Sequence, residues 1–275
     1  MLFRSDIKLS LSSGVQDKSF LDIDPGHLLW QKSLTDLQAH SKFSIEKLLE
    51  HSQNLQGLQE LDLRLKVSVL SGISNLDLSS FIHLKTMKID LDLCAEFFKL
   101  MKSFALPTLI PNLSITLHPK FEDISAIPTY QAAEDKFYKA INSLTLIKRF
   151  ALKLLVPPKN LHLMVKFLIS FSSKLLNSLS SDLESLTIDG TPEVKEESEL
   201  FGSVIFERFK TLKTFYYIVK NLNNLDAVEG LSNLKELDAF SAYGAKYSIL
   251  HALYKEKLKY LDLTMVRFPS DRQST

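Results

Sequence analysis

Cysteine is all but missing from this chain: Cys94 stands alone among 275 residues. A lone cysteine makes no intramolecular disulfide and builds no thiolate metal cage, which favours a reducing, intracellular setting, cytoplasmic or nuclear. Charge of one sign is missing too, since 33 Lys and Arg face 32 Asp and Glu. That balance offers no overall pull toward nucleic acid or an anionic membrane. Glycine is scarce, with eight in all, and none falls in a G-x-G-x-x-G or G-x-x-x-x-G-K-S/T arrangement, so no glycine loop is set to cradle a phosphate. The seven histidines show neither H-x-H nor H-E-x-x-H spacing. No long apolar run survives inspection either: Arg4, Asp6 and Lys8 interrupt the first residues, and Lys166 and Lys174 interrupt the most apolar stretch, 160–179. A signal peptide and a membrane span are therefore not expected.

What the chain has in excess is leucine, 51 residues of 275, about twice ordinary usage. The strict pattern Leu-x-x-Leu-x-Leu occurs at Leu58, Leu61, Leu63 and again at Leu258, Leu261, Leu263. Roughly two such hits arise by chance at this leucine content, so the relaxed pattern carries the argument. It recurs from starting positions 58, 84, 110, 147, 183, 212, 234 and 258, and Leu-Lys-x-apolar keeps one phase at Leu84, Leu212, Leu234 and Leu258. These spacings suit a strand-and-helix repeat. Alternation within a short strand sends the pattern residues to one face and the residues between them to the other.

Helical spacing fills the intervals, over 92–104, 130–142, 159–179, 194–209 and 246–255. Pro107 and Pro111 bracket a strand entry, Pro157-Pro158 precedes the longest helix, and Asp189-Gly190-Thr191-Pro192 reads as a turn. Before residue 58 the signal weakens. Ile7, Leu9 and Leu11 alternate like a strand, and 34–51 reads as helix, so 1–57 is expected to be a degenerate first unit, 58–266 the repeats, and 267–275 a disordered tail.

These repeats resemble the leucine-rich-repeat family, in an irregular form similar to the repeat regions of fungal F-box proteins. The resemblance implies an α/β solenoid with a curved parallel sheet on the concave face and helices on the convex face. It departs from the family at one place. The family often has Asn or Cys eight positions after the first leucine, and here those places include Lys66, Asp92, His118, Leu155 and Thr191. Polar caps for the two ends of a repeat stack are not evident, so a fragment of a longer chain is expected.

The phase writes out the outward columns directly. Early units offer Glu60, Asp62, Arg64, Lys88, Asp90 and polar neighbours; later ones place Tyr216, Ile218, Phe240 and Tyr260 outward with Glu236, Asp238 and Asp262 around them. Aromatic residues inside a charged rim suit a protein partner, and the acidic rim favours a segment carrying basic residues. Those seven residues are the expected binding site. Other candidates read blandly: Asp90 with Asp92 as a solvated strand face, Lys148, Arg149 and Lys153 as a small basic face, and Cys94 as a small buried residue. No catalytic residue, metal site or cofactor is expected. The expected function is a non-catalytic protein-interaction module, by resemblance the substrate-recognition region of an F-box-type ubiquitin-ligase receptor. A GTPase-regulating repeat protein and a nucleic-acid or chromosome scaffold are the alternatives.

Overall fold

The computed structural model describes residues 7–11, 34–40, 42–120, 131–155, 161–191, 205, 208–222, 234, 236–245 and 259–264. The expected helix 246–255, nearly all of the one at 194–209, the Pro157-Pro158 step and the tail lie outside these residues. The fold class is α/β, in two compact units, Met1–Ile147 and Lys148–Thr275.

The first unit runs β1 (Ile7–Leu11), β2 (Leu34–Ala39), α1 (Lys42–Glu50), β3 (Glu60–Leu65), α2 (Val67–Leu70), β4 (Leu76–Asp77), β5 (Thr86–Leu93), α3 (Ala95–Leu100), a short 3-10 turn (Met101–Ser103), β6 (Phe104–Ala105), β7 (Asn112–Pro119) and α4 (Gln131–Asn142). Strands β1, β2, β3, β5 and β7 lie side by side in that order, all parallel. Parallel neighbours require a crossover, and the short helices and β4, paired to β6, supply it. The repeat pattern sets the register: Leu37, Leu61, Met87 and Leu113 are successive partners, each at most 2% exposed. Each such burial contributes about 1.5–3 kcal/mol. Behind them Phe97, Phe104 and Phe137 meet with ring centroids 5.5–5.6 Å apart and close the core.

One element differs from the sequence reading here. Residues 34–39 form strand β2, and helix begins only at Lys42. Leu34 and Leu37 are three apart, a step that an amphipathic helix and a repeat strand entry share. Asp36 pairs with Glu60, so Leu34 holds the position of Leu58, and Leu37 with Ala39 supplies the buried alternation. Likewise β5 keeps Asp92 and Leu93, which the helical reading of 92–104 had claimed.

The second unit contains β8 (Arg149–Leu154), α5 (Leu161–Ser178), β9 (Ser185–Thr191), β10 (Thr214–Leu222), β11 (Ala239–Ala245) and β12 (Tyr260–Thr264), its strands parallel and adjacent in chain order. The Arg208 guanidinium donates to the carbonyl of Leu179, just past the end of α5, where a cation also favours the helix dipole. The buried column runs Phe150, Leu186 and Phe215, and Phe240 and Leu261 continue it in backbone register. Phe240 is therefore aligned with the buried Leu186 and Phe215. The sequence pattern puts the start of the seventh repeat at Leu234; strand pairing puts it at Leu237, three residues later.

Charge agrees with the shift. Residues immediately before the strands stack along one edge: backbone N–H groups of Glu184, Lys213, Asp238 and Lys259 donate in turn to the carbonyls of Lys148, Glu184, Lys213 and Asp238. Side chains alternate in sign along this edge, with Lys148 to Glu184 at 3.5 Å, Lys213 to Glu184 at 3.4 Å and Lys259 to Asp238 at 3.1 Å. Starting the repeat at Leu234 would seat Lys235 between Lys213 and Lys259, three like charges in neighbouring places. Each exposed pair contributes less than about 1 kcal/mol, yet the choice between two registers needs only a difference.

Gly190 is the second departure in this unit. Its φ is 80°, within β9, where Asp189 pairs with Ile218 and Thr191 with Val219, leaving one extra residue as a bulge. Over 189–191 the expected turn is thus a kinked continuation of the strand, and Pro192 lies outside the described residues. An added Cβ would press on the Leu154 carbonyl. Gly190→Ala should cost about 1–3 kcal/mol, read as a lowered urea midpoint with unchanged slope.

Candidate functional site

In the second unit the face opposite the core column is built from alternate strand residues. Register aligns Arg149, Ser185, Thr214, Ala239 and Tyr260 in one row, and Ala151, Thr187, Tyr216, Ser241 and Asp262 in the next. A third row aligns Lys153, Asp189, Ile218, Tyr243 and Thr264. Tyr260 is 52% exposed and Tyr216 half-buried.

The seven expected site residues divide on this frame. Tyr216, Ile218, Tyr260 and Asp262 hold outward register positions on β10 and β12. Phe240 does not, because it aligns with Phe215. Glu236 is exposed but sits in the turn before β11, and Asp238 sits at the strand entry bound to Lys259. The three-residue register change moves these residues off the face and brings Tyr243 onto it, a position that the sequence reading missed. Its signal was the Phe240-Ser241-Ala242-Tyr243 alternation counted from Leu237.

Two further carboxylates border this face. Lys213 and Lys148 flank the exposed Glu184 and hold its carboxyl below the usual range. Lys153 meets Asp189 at 2.9 Å. Those carboxylates are matched within the unit, which leaves the middle of the face, Ser185, Thr187, Thr214, Tyr216, Ala239 and Ser241, without a charged residue.

The first unit carries a different outward face. Lys66 donates from Nζ to Asp90 Oδ1 at 2.8 Å and to Asp92 Oδ1 at 3.4 Å; the Val67 N–H donates to Asp92 Oδ2 at 3.0 Å. His118 Nε2 lies 2.5 Å from Asp90 Oδ1. Lys66, Asp92 and His118 are the residues found where the leucine-rich-repeat pattern has its asparagine. Asp92, 4% exposed, accepts a backbone N–H of the neighbouring turn as such an asparagine would. Three residues at the same pattern position, Lys66, Asp92 and His118, thus meet in one cluster with Asp90, and the sequence signal was the shared eighth position.

No protein-family model matches the chain, and a search of curated proteins finds no match.

Titration of the first unit has a definite sign. Burial opposes ionisation of Asp90, but Lys66 and His118 outweigh it and lower its pKa. His40 lies 3.7 Å from Asp62; burial first, then Arg64, depress its pKa below the ordinary 6.5 against the pull of Asp62 and Asp90. Below that value the unfolded chain takes up the histidine proton before the folded chain does, so stability falls as pH drops below about 6.5. His40→Gln should flatten this part of a pH series of urea midpoints. The Asp90 contribution, by contrast, is lost only further down, as pH falls through its lowered value.

Cys94 caps the start of α3 and is 2% exposed. Burial pushes its thiol up to about 11, so thiolate is scarce at neutral pH. Among the described residues no group of three or more His, Cys, Asp and Glu converges on a metal-sized point, and no helix is long and apolar enough to cross a membrane.

Proposed function

We propose that the chain is a leucine-rich-repeat-like solenoid, with its parallel strands on the concave side and helices on the convex side, working inside the cell as a non-catalytic protein-interaction module. The site is the outward face of the second unit. One observation carries this reading: Tyr216 and Tyr260 stand on a sheet face whose alternate described residues are half-buried or exposed, with Tyr260 52% exposed. Tyrosine brings large contact area at low entropic cost and recurs at the centre of protein interfaces. A role as the recognition part of an F-box-type ubiquitin-ligase receptor is the narrower form of the proposal, and it rests on the repeat resemblance.

Affinity capture from the native source with the chain and with a Tyr216→Ala, Tyr260→Ala variant tests it. The expected result is a specific protein held by the first and lost with the second, both having the same urea midpoint within about 0.5 kcal/mol. Equal capture by both would remove this face from the interaction.

A further inference from the structure

The strand entries of the second unit form a series with one open place. The carbonyls of Lys148, Glu184, Lys213 and Asp238 each accept two successive N–H groups from the next strand, that of its entry residue and the one after it, at 2.8–3.1 Å. Lys259 is the next entry residue. Among the described residues no N–H reaches its carbonyl, and β12 pairs only with β11. We infer that the outer edge of β12 docks an extended segment of another protein, added as a parallel strand with a carboxylate immediately before it. This goes beyond the reading above, because it concerns the sheet edge and not the outward face.

Charge selects the incoming entry residue. The entries alternate in sign through Lys148, Glu184, Lys213, Asp238 and Lys259, and Glu184 meets a lysine on each side, at 3.5 and 3.4 Å. Lys259 meets Asp238 at 3.1 Å on one side only, with its side chain 77% exposed. A carboxylate in the next place continues the alternation, whereas a lysine would set like charges side by side. The strand itself offers no obstacle. Edges are commonly blunted by lysine or proline, and β12, Tyr-Leu-Asp-Leu-Thr, has neither.

Orientation and register follow from the same bonds. Every pairing from β8 to β12 is parallel, and a parallel neighbour delivers two successive N–H groups to the Lys259 carbonyl in the geometry of the four earlier junctions. Main-chain hydrogen bonds of this kind hold an added strand, and alternate side chains give it specificity. The second residue after the carboxylate then continues the column of Leu186 and Phe215, and the fourth that of Ile188 and Tyr217. All four are buried, so both places call for apolar residues. The residue between them falls beside Asp262 in register, which suits an uncharged polar side chain. The expected segment reads acid, any residue, apolar, polar, apolar.

Fluorescence anisotropy of the full chain with a labelled peptide of residues 183–189, Leu-Glu-Ser-Leu-Thr-Ile-Asp, tests the inference. That sequence fits the pattern and already lies between two lysine entries in β9. Saturable binding is expected. Lysine in place of the peptide glutamate should weaken it about fivefold, as should Lys259→Glu in the protein, and the two changes together should restore it. Methylating the glutamate and serine nitrogens of the peptide removes both donors and should lower affinity about tenfold or more. Tyr216→Ala should leave binding within about twofold, and circular dichroism checks that each variant folds. Absence of binding, or binding indifferent to both methylation and Lys259→Glu, would overturn the docking edge without touching the outward face. Binding lost with Tyr216→Ala but kept with Lys259→Glu would also overturn it, and would support the outward face instead. Sedimentation of the chain alone supplies the last arm. Self-association abolished by Lys259→Glu would make the occupant a second copy of this chain and overturn the choice of a foreign segment.

Discussion

Phe215→Ala should destabilise the second unit by about 3–5 kcal/mol, the range for truncating a buried phenylalanine. The side chain is 1% exposed and stacks on Tyr217 with centroids 5.5 Å apart. It lies between Leu186 and Phe240 in the column that joins neighbouring strands. A domain with ordinary marginal stability would not tolerate the upper end of that loss. Urea denaturation followed by circular dichroism provides the measurement. Phe240→Ala belongs in the same experiment because it decides the register. If the repeat starts at Leu237, Phe240→Ala should resemble Phe215→Ala; if it starts at Leu234, the substitution should cost no more than a surface change, within about 0.5 kcal/mol. Leu237, 4% exposed, is buried in either case and cannot separate the two.

Asp92→Ala should produce the second large effect, about 2–3 kcal/mol from the first unit. Two partners are affected at once. The Val67 N–H loses its acceptor, and Lys66 keeps only Asp90. Lys66 is one-third exposed and can turn to water, which holds the loss below that of a fully buried pair. Asp92→Asn retains an oxygen for Val67 while removing the charge, so it should recover about half of the loss, given that a neutral hydrogen bond is roughly half as strong as a charge-assisted one. Thermal or urea midpoints of the two variants supply the comparison. An Asp92→Ala loss as small as that of a solvated strand residue would remove its role in the cluster.

These two residues also mark where sequence reading reached and where it stopped. Asp92 was visible as the eighth residue of a repeat that lacked the usual asparagine, and as half of an acidic pair with Asp90. Nothing local indicated that Lys66 and Val67, 26 and 25 residues earlier, would share its carboxylate. The outward columns of the first unit, Glu60 with Thr86 and Asn112, Asp62 with Lys88 and Ser114, and Arg64 with Asp90 and Thr116, appear in the pairing as the alternation implied. In the second unit the same rule points to the wrong leucine. Leu234-Lys235 matches the repeat consensus better than Leu237-Asp238 does, and local pattern alone favours the better match.

Composition and alternation, by themselves, determined an α/β chain of short strands, and for most units which residues would be buried. A strand with a period of two has only two faces, and leucine frequency selects between them. What only the tertiary structure decided was the pairing of strands distant in sequence. Asp238 follows Lys213 along the sheet edge and pairs with Lys259, an alternation of charge that exists only once the strands are adjacent. That single choice takes Phe240 off the candidate face by register and brings Tyr243 to it.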